Sequence, residues 1–120
     1  MEKQKGRVVE PRQEDNIIAD PGTGVLIPVS KSGQVGLVIG SAGAETNTLA
    51  VPTFLGQQMT LVAYSVGTGT RVVTASARIN IAANTTMTFA AAGDAIVLKA
   101  VNIGGNLRWA VIANDNVTLG

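Results

Sequence analysis

The chain has 120 residues, with 9 Lys and Arg against 8 Asp and Glu, no His and no Cys, which is one domain's worth of chain at a net charge of +1. The missing Cys and His exclude a disulfide scaffold, a thiolate zinc site, a Cys nucleophile and the commonest general base. A near-neutral balance argues against bulk nucleic-acid binding, and no apolar run approaches the roughly 18 residues of a membrane span, so neither nucleic acid nor membrane is an expected partner.

Residues 1–20 hold nine of the seventeen charges and read as an extended N-terminal arm. Pro11 and Pro21 oppose a helix, and a short strand fits Arg7 to Glu10. The arm lacks the apolar stretch of a secretory signal. Asp20-Pro21-Gly22-Thr23-Gly24 is a turn cluster and marks a boundary, with a single β domain expected over 21–120.

From Val25 onward the hydrophobic period is 2. Val35, Leu37 and Ile39 share one face of a predicted strand after the Lys31-Ser32-Gly33 turn, and Gly40 to Gly43 closes it. Gln57 to Val66 is apolar on both faces. After Gly67-Thr68-Gly69, the residues Val73, Ala75, Ala77, Ile79 and Ile81 line one face of the next strand, whose alanines would also tolerate a helical turn over Thr74 to Ala83. Met87 and Phe89 mark a further buried face, and Ala95 to Ile103 is again apolar on both. Gly104-Gly105-Asn106 reads as a hairpin loop into a strand with Leu107, Trp109 and Val111 on one side. The expected fold is all-β: a small β-sandwich or barrel of about eight short antiparallel strands behind the arm.

Candidate chemistry is sparse. Outside the arm the carboxylates are Glu45, Asp94 and Asp115; the last two sit in turn sequences, which is no paired-carboxylate arrangement. Ser30-Lys31-Ser32 places its hydroxyls and amine on opposite faces of an extended chain, and the Gly-Thr-Gly turns lack the Lys-Ser/Thr ending of a phosphate loop. Asn114-Asp115-Asn116 lacks the spacing of a calcium loop, and Trp109 falls on the apolar side of its strand. No catalytic, cofactor or metal site is expected, and the protein is read as non-enzymatic.

The remaining signal is surface. Only eight charges cover residues 21–120, far below the usual quarter, and mean hydropathy is positive at +0.30. Such a body is expected to be covered by other chains, three copies being favoured over two. The two-faced strands place Val62, Tyr64, Val97 and Val101 at the oligomer interface.

Beside this reading stands a resemblance. Asp20-Pro21-Gly22, Ile27-Pro28-Val29, Gly43-Ala44-Glu45-Thr46, Leu49-Ala50-Val51-Pro52, Thr88-Phe89, Ala92-Gly93-Asp94 and Leu107-Arg108-Trp109 resemble small virion proteins of tailed bacteriophages, above all head decoration, or cement, proteins. The resemblance covers about residues 20–120, and its motifs are turns and strand cores. It implies a homo-oligomer, often a trimer, made in the host cytoplasm and bound to the major capsid protein on the outer surface of the virion, with no cofactor. By position and character the arm matches one that lies along the shell, with Lys3, Lys5, Arg7, Val8, Val9, Arg12, Ile17 and Ile18 as its contacts. The alternative is a tail or spike module for host-receptor or carbohydrate binding, for which Tyr64 is the one aromatic expected on the surface.

Overall fold

The computed structural model describes residues 17–29, 32–38, 44–65, 69–79 and 84–120. Among these residues there is no helix, and ten strands make two five-stranded sheets: β1 (Ile17–Ile18), β2 (Val25–Ile27), β3 (Gly33–Val38), β4 (Ala44–Leu49), β5 (Gln58–Ser65), β6 (Thr70–Ile79), β7 (Asn84–Phe89), β8 (Ala95–Ile103), β9 (Asn106–Asp115) and β10 (Thr118–Leu119). The first sheet runs β1-β3-β5-β8-β9 and the second β2-β4-β6-β7-β10. The expected all-β sandwich is thus the fold.

Strand direction is a correction. The pairs β5–β8, β6–β7, β8–β9 and β7–β10 are antiparallel, but β1–β3, β3–β5, β2–β4 and β4–β6 are parallel. The physical reason lies in the turns. Each connection among the first six strands carries the chain from one sheet to the other, so successive strands face each other across the core instead of pairing. Three such arches stack as rungs: β1–β2, β3–β4 and β5–β6. Gly33 lies beside Met59 and Ala44 beside Thr70, each pair 26 residues apart in sequence, so the second and third rungs repeat in register. The rung below is shorter, with Ile17 beside Gln34, 17 residues on. Two hairpins, β6–β7 and β8–β9, finish the stack. The second turns through Gly104 and Gly105 at φ 61° and 89°, the paired left-handed geometry of a two-residue hairpin that side chains with a Cβ resist.

The core lies between the sheets. Ile18, Val35, Met59, Leu61, Ile96, Leu98 and Trp109 come from the first sheet, and Ile27, Leu49, Val73, Ile79, Met87 and Phe89 from the second. Trp109 is a core residue, its Nε1–H donating to the Ala50 carbonyl at 2.8 Å. Thr74 onward stays strand through Ile79, although the ladder to β7 breaks between Thr74 and Ile79.

Candidate functional site

Alternation sends every second residue of β5, β8 and β9 away from the core. Met59, Leu61 and Ala63 point inward on β5, so Thr60, Val62 and Tyr64 point outward; Ile96, Leu98 and Ala100 point inward on β8, leaving Ala95, Val97 and Val101 outside. All four predicted interface residues, Val62, Tyr64, Val97 and Val101, therefore share the outer face of the first sheet. Val62 lies opposite Ala95 and Val97 opposite Thr60, which makes the two valines diagonal neighbours. Tyr64 is 77% exposed, while the three valines are half-buried by their neighbours on the sheet. Lys99, opposite Ala110, stands exposed between Val97 and Val101 on this face, and Arg108 lies opposite Val101; Asp115, opposite Ala95, borders the far end.

The outer face of the second sheet has a different chemistry. Thr46 and Thr48 on β4, Thr70 and Thr74 on β6, Thr86 and Thr88 on β7 and Thr118 on β10 make cross-strand rows of hydroxyls; Thr48, Thr74 and Thr86 stand side by side. Threonine suits a wet sheet surface, because its branched Cβ favours the strand and its hydroxyl meets water. The sandwich thus has one face rich in hydroxyls and one on which small apolar side chains and Tyr64 surround Lys99.

Between the sheets, the charged residues are tied to structure. Arg71 on β6 is 1% exposed, and its guanidinium makes a two-pronged contact with Asp20 (Nη1–Oδ1 3.1 Å, Nη2–Oδ2 3.2 Å). The same group donates to Glu45 Oε1 at 3.0 Å and to Asn47 Oδ1, while Asn47 Nδ2 donates to the Gly22 and Val25 carbonyls. One side chain thereby joins all three rungs. Asp94 closes the β7–β8 turn, accepting from the amides of Ala90 and Ala91 at 3.0 Å each and from Asn116 Nδ2 at 3.1 Å. Burial opposes its ionisation, but these three donors outweigh it and hold the carboxyl below its usual range. Asp94 is a turn residue, as its sequence context implies, and Glu45 is an ion-pair partner.

The loop between β4 and β5 escaped the sequence reading. Gln57 is buried; its Oε1 accepts from the Thr53 amide at 2.7 Å and the Thr53 hydroxyl at 3.1 Å, and its Nε2 donates to the Val29 carbonyl at 2.7 Å. The Gln57 amide returns to the Phe54 carbonyl at 3.2 Å, closing a turn that needs Gly56 at φ 85°. This fixed loop holds out Leu55 and Phe54. Phe54, expected on a buried face, is 46% exposed, because it sits in a turn and not on a strand.

Of the arm contacts, Lys3, Lys5, Arg7, Val8, Val9 and Arg12 lie outside the described residues. Ile17 is exposed on β1, but Ile18 is a correction. It packs in the core as part of the β body and is not a contact free for a shell, and the body begins before residue 21 because β1 and Asp20 are built into it. Among the described residues no three His, Cys, Asp or Glu side chains gather as a metal-binding group, and no helix is long and apolar enough to cross a membrane.

No protein-family model matches this chain, and a search of curated proteins finds no relative of it.

Proposed function

We propose that the protein is a non-enzymatic structural component of a tailed-phage head, one that binds the outer capsid surface as an oligomer and cements it. The observation that carries this reading is the contrast between the two outer faces. The threonine face suits water throughout, whereas on the other face small apolar side chains outnumber the charges of Lys99 and Arg108. The face bearing Val62, Tyr64, Val97 and Val101 is suited to contact with another chain.

Size argues for repetition of that contact. Strands about 4.8 Å apart and ten residues long give β5, β8 and β9 a shared face of roughly 450 Å². A standard interface takes about 800 Å² from each partner. One such face is too small for tight binding alone, whereas several copies linked in an oligomer raise effective concentration at the shell. The arm, with Lys3, Lys5, Arg7 and Arg12 beside Val8 and Val9, supplies further contact with the major capsid protein.

The test is rebinding of purified protein to capsid shells stripped of decoration. Tyr64→Asp should dissociate the oligomer and, with avidity lost, weaken sedimentation with shells at least about tenfold, while Thr74→Asp on the opposite face should leave both unchanged. Loss by both variants or by neither removes the assignment of this face. A second reading, a tail or spike module that binds sugars, is favoured by two exposed aromatics, Tyr64 and Phe54. Binding to host cells or glycan arrays without binding to shells would select it.

A further inference from the structure

The outward residues of β9 form a pattern that repeats when it is turned end for end. Register to β8 sets Arg108, Ala110, Ala113 and Asp115 on the outer face, opposite Val101, Lys99, Val97 and Ala95. The bulge between Val111 and Ala113 makes this set symmetric about a midpoint beside Ile112, the extra residue, which is 54% exposed. A half-turn about that midpoint exchanges Arg108 with Asp115 and Ala110 with Ala113. Carried across the sheet, it exchanges Val101 with Ala95 and Lys99 with Val97 on β8, and Gln58 with Thr60 on β5. It also exchanges the two ends of β5, where Tyr64 and Leu55 stand as the two most exposed large apolar side chains among the described residues, at 77% and 66%. Among the described residues neither Arg108 nor Asp115 makes an ion pair within the chain.

Resting on the reading of this face as a subunit contact, we propose that it closes on a second copy of the same chain, across a two-fold axis that lies between the two facing sheets at right angles to their strands. An isologous contact demands a patch complementary to itself, and the half-turn supplies one. Arg108 meets the partner's Asp115, and the symmetry makes the pair twice. Tyr64 comes over the partner's Leu55, at the Gly56 turn that ends β5. Val97 takes the apolar stem of the partner's Lys99, and Asp115, diagonal to Val97, takes its charge. Facing strands are then antiparallel and nearly aligned, as in other packed sheets. A half-turn about an axis along β8 does not have this effect. It sets Asp115 on Val62 and Arg108 on the Leu55 end of β5, so no charge meets its opposite. A three-fold ring joins two different patches and leaves the self-complementarity of this one unused.

The test is charge reversal in the full chain, read by sedimentation over a concentration series. Native protein should sediment as a dimer. Arg108→Asp and Asp115→Arg should each raise the dimer dissociation constant at least about tenfold, because like charges then meet at two places. Arg108→Asp combined with Asp115→Arg restores both pairs and should return the constant to within about threefold of native. Independently, Ile112→Cys places one thiol per copy beside the axis of a chain that has no native Cys. A bismaleimide of about 10 Å, the spacing of packed sheets, should link the two copies through it. Thr74→Cys, on the threonine face, should give no linked dimer. Native protein that sediments as a trimer or a monomer, single reversals without effect, a double reversal no tighter than the singles, or no cross-link at position 112 would overturn the proposal. Shells play no part in these readouts. A trimer that rebinds shells removes the two-fold and leaves the capsid assignment, whereas a dimer that ignores shells does the reverse.

Discussion

Arg71 and Asp20 are 51 residues apart in sequence and meet through two parallel N–H···O contacts of 3.1 and 3.2 Å at the polar end of the core. The contact fixes the turn of the first rung to a strand of the third. Glu45, on the strand between them, completes the cluster at 3.0 Å.

Removing the cation leaves two carboxylates facing each other without compensation. Arg71→Met should therefore cost about 3–5 kcal/mol of stability in urea unfolding. Asp20→Asn, which keeps a hydrogen-bond acceptor in a partly wet position, should cost only about 1–2 kcal/mol. Equal losses would mean that the Asp20 contact carries the cluster.

Asp94 gives a pH dependence of definite sign. Its carboxyl is held below its ordinary value of 3.8, so the folded state favours the ionised form. Its contribution is complete above that ordinary value and is lost as pH falls through the lower folded-state value. Thermal unfolding of the native protein should show this loss below pH 3.8. Asp94→Asn should be less stable at neutral pH and show a shallower acid limb. Parallel acid limbs in the two proteins would contradict the assignment.

Gln57→Leu fills a similar volume but leaves the Thr53 amide without its acceptor and the Val29 carbonyl with only the Thr53 hydroxyl, at 3.3 Å. The expected cost is about 2–3 kcal/mol. The loss should be local as well as global, with residues 53–56 becoming the first site of limited proteolysis. A variant that resists protease as the parent does would show that the Gly56 turn holds the loop by itself.

Val97→Lys tests the outer face without touching the core. Native protein at micromolar concentration should sediment with no major monomer. The variant should sediment as a folded monomer, with strand circular dichroism retained, because position 97 is only half-buried in a single chain. An unchanged oligomer would move the subunit contact elsewhere.

Period-2 patterning identified which residues face inward on most strands, and Met87, Phe89 and Trp109 are in the core where it put them. Turn chemistry was equally legible at Gly104-Gly105 and at Asp94. Alternation names a face but not a neighbour, so parallel pairing through sheet-to-sheet arches left no trace in the pattern. Arg71 had a signal that a charge obscures: it is in phase with Val73 and Ala75, both of which are buried. Gln57, one residue before β5, is likewise in phase with the buried Met59 and Leu61, its polarity hiding the signal, whereas Phe54 lies in a turn with no periodicity to read.

The crossing connections also determine how the chain can reach this structure. Among the described residues no strand of the first six pairs with its sequence neighbour, and the local pairings are the β6–β7 and β8–β9 hairpins. Those hairpins can form with little loop-closure entropy, whereas the earlier rungs must close 17 to 26 residues before their first ladder bonds appear. Assembly should therefore begin at the C-terminal hairpins and advance rung by rung towards the N-terminus. Unfolding would retrace that order, with the β1–β2 rung fraying first and the hairpin end opening last. A protein built this way is slow to form, and its unpaired N-terminal strands stay exposed to wrong partners until the hairpin end has given them a template.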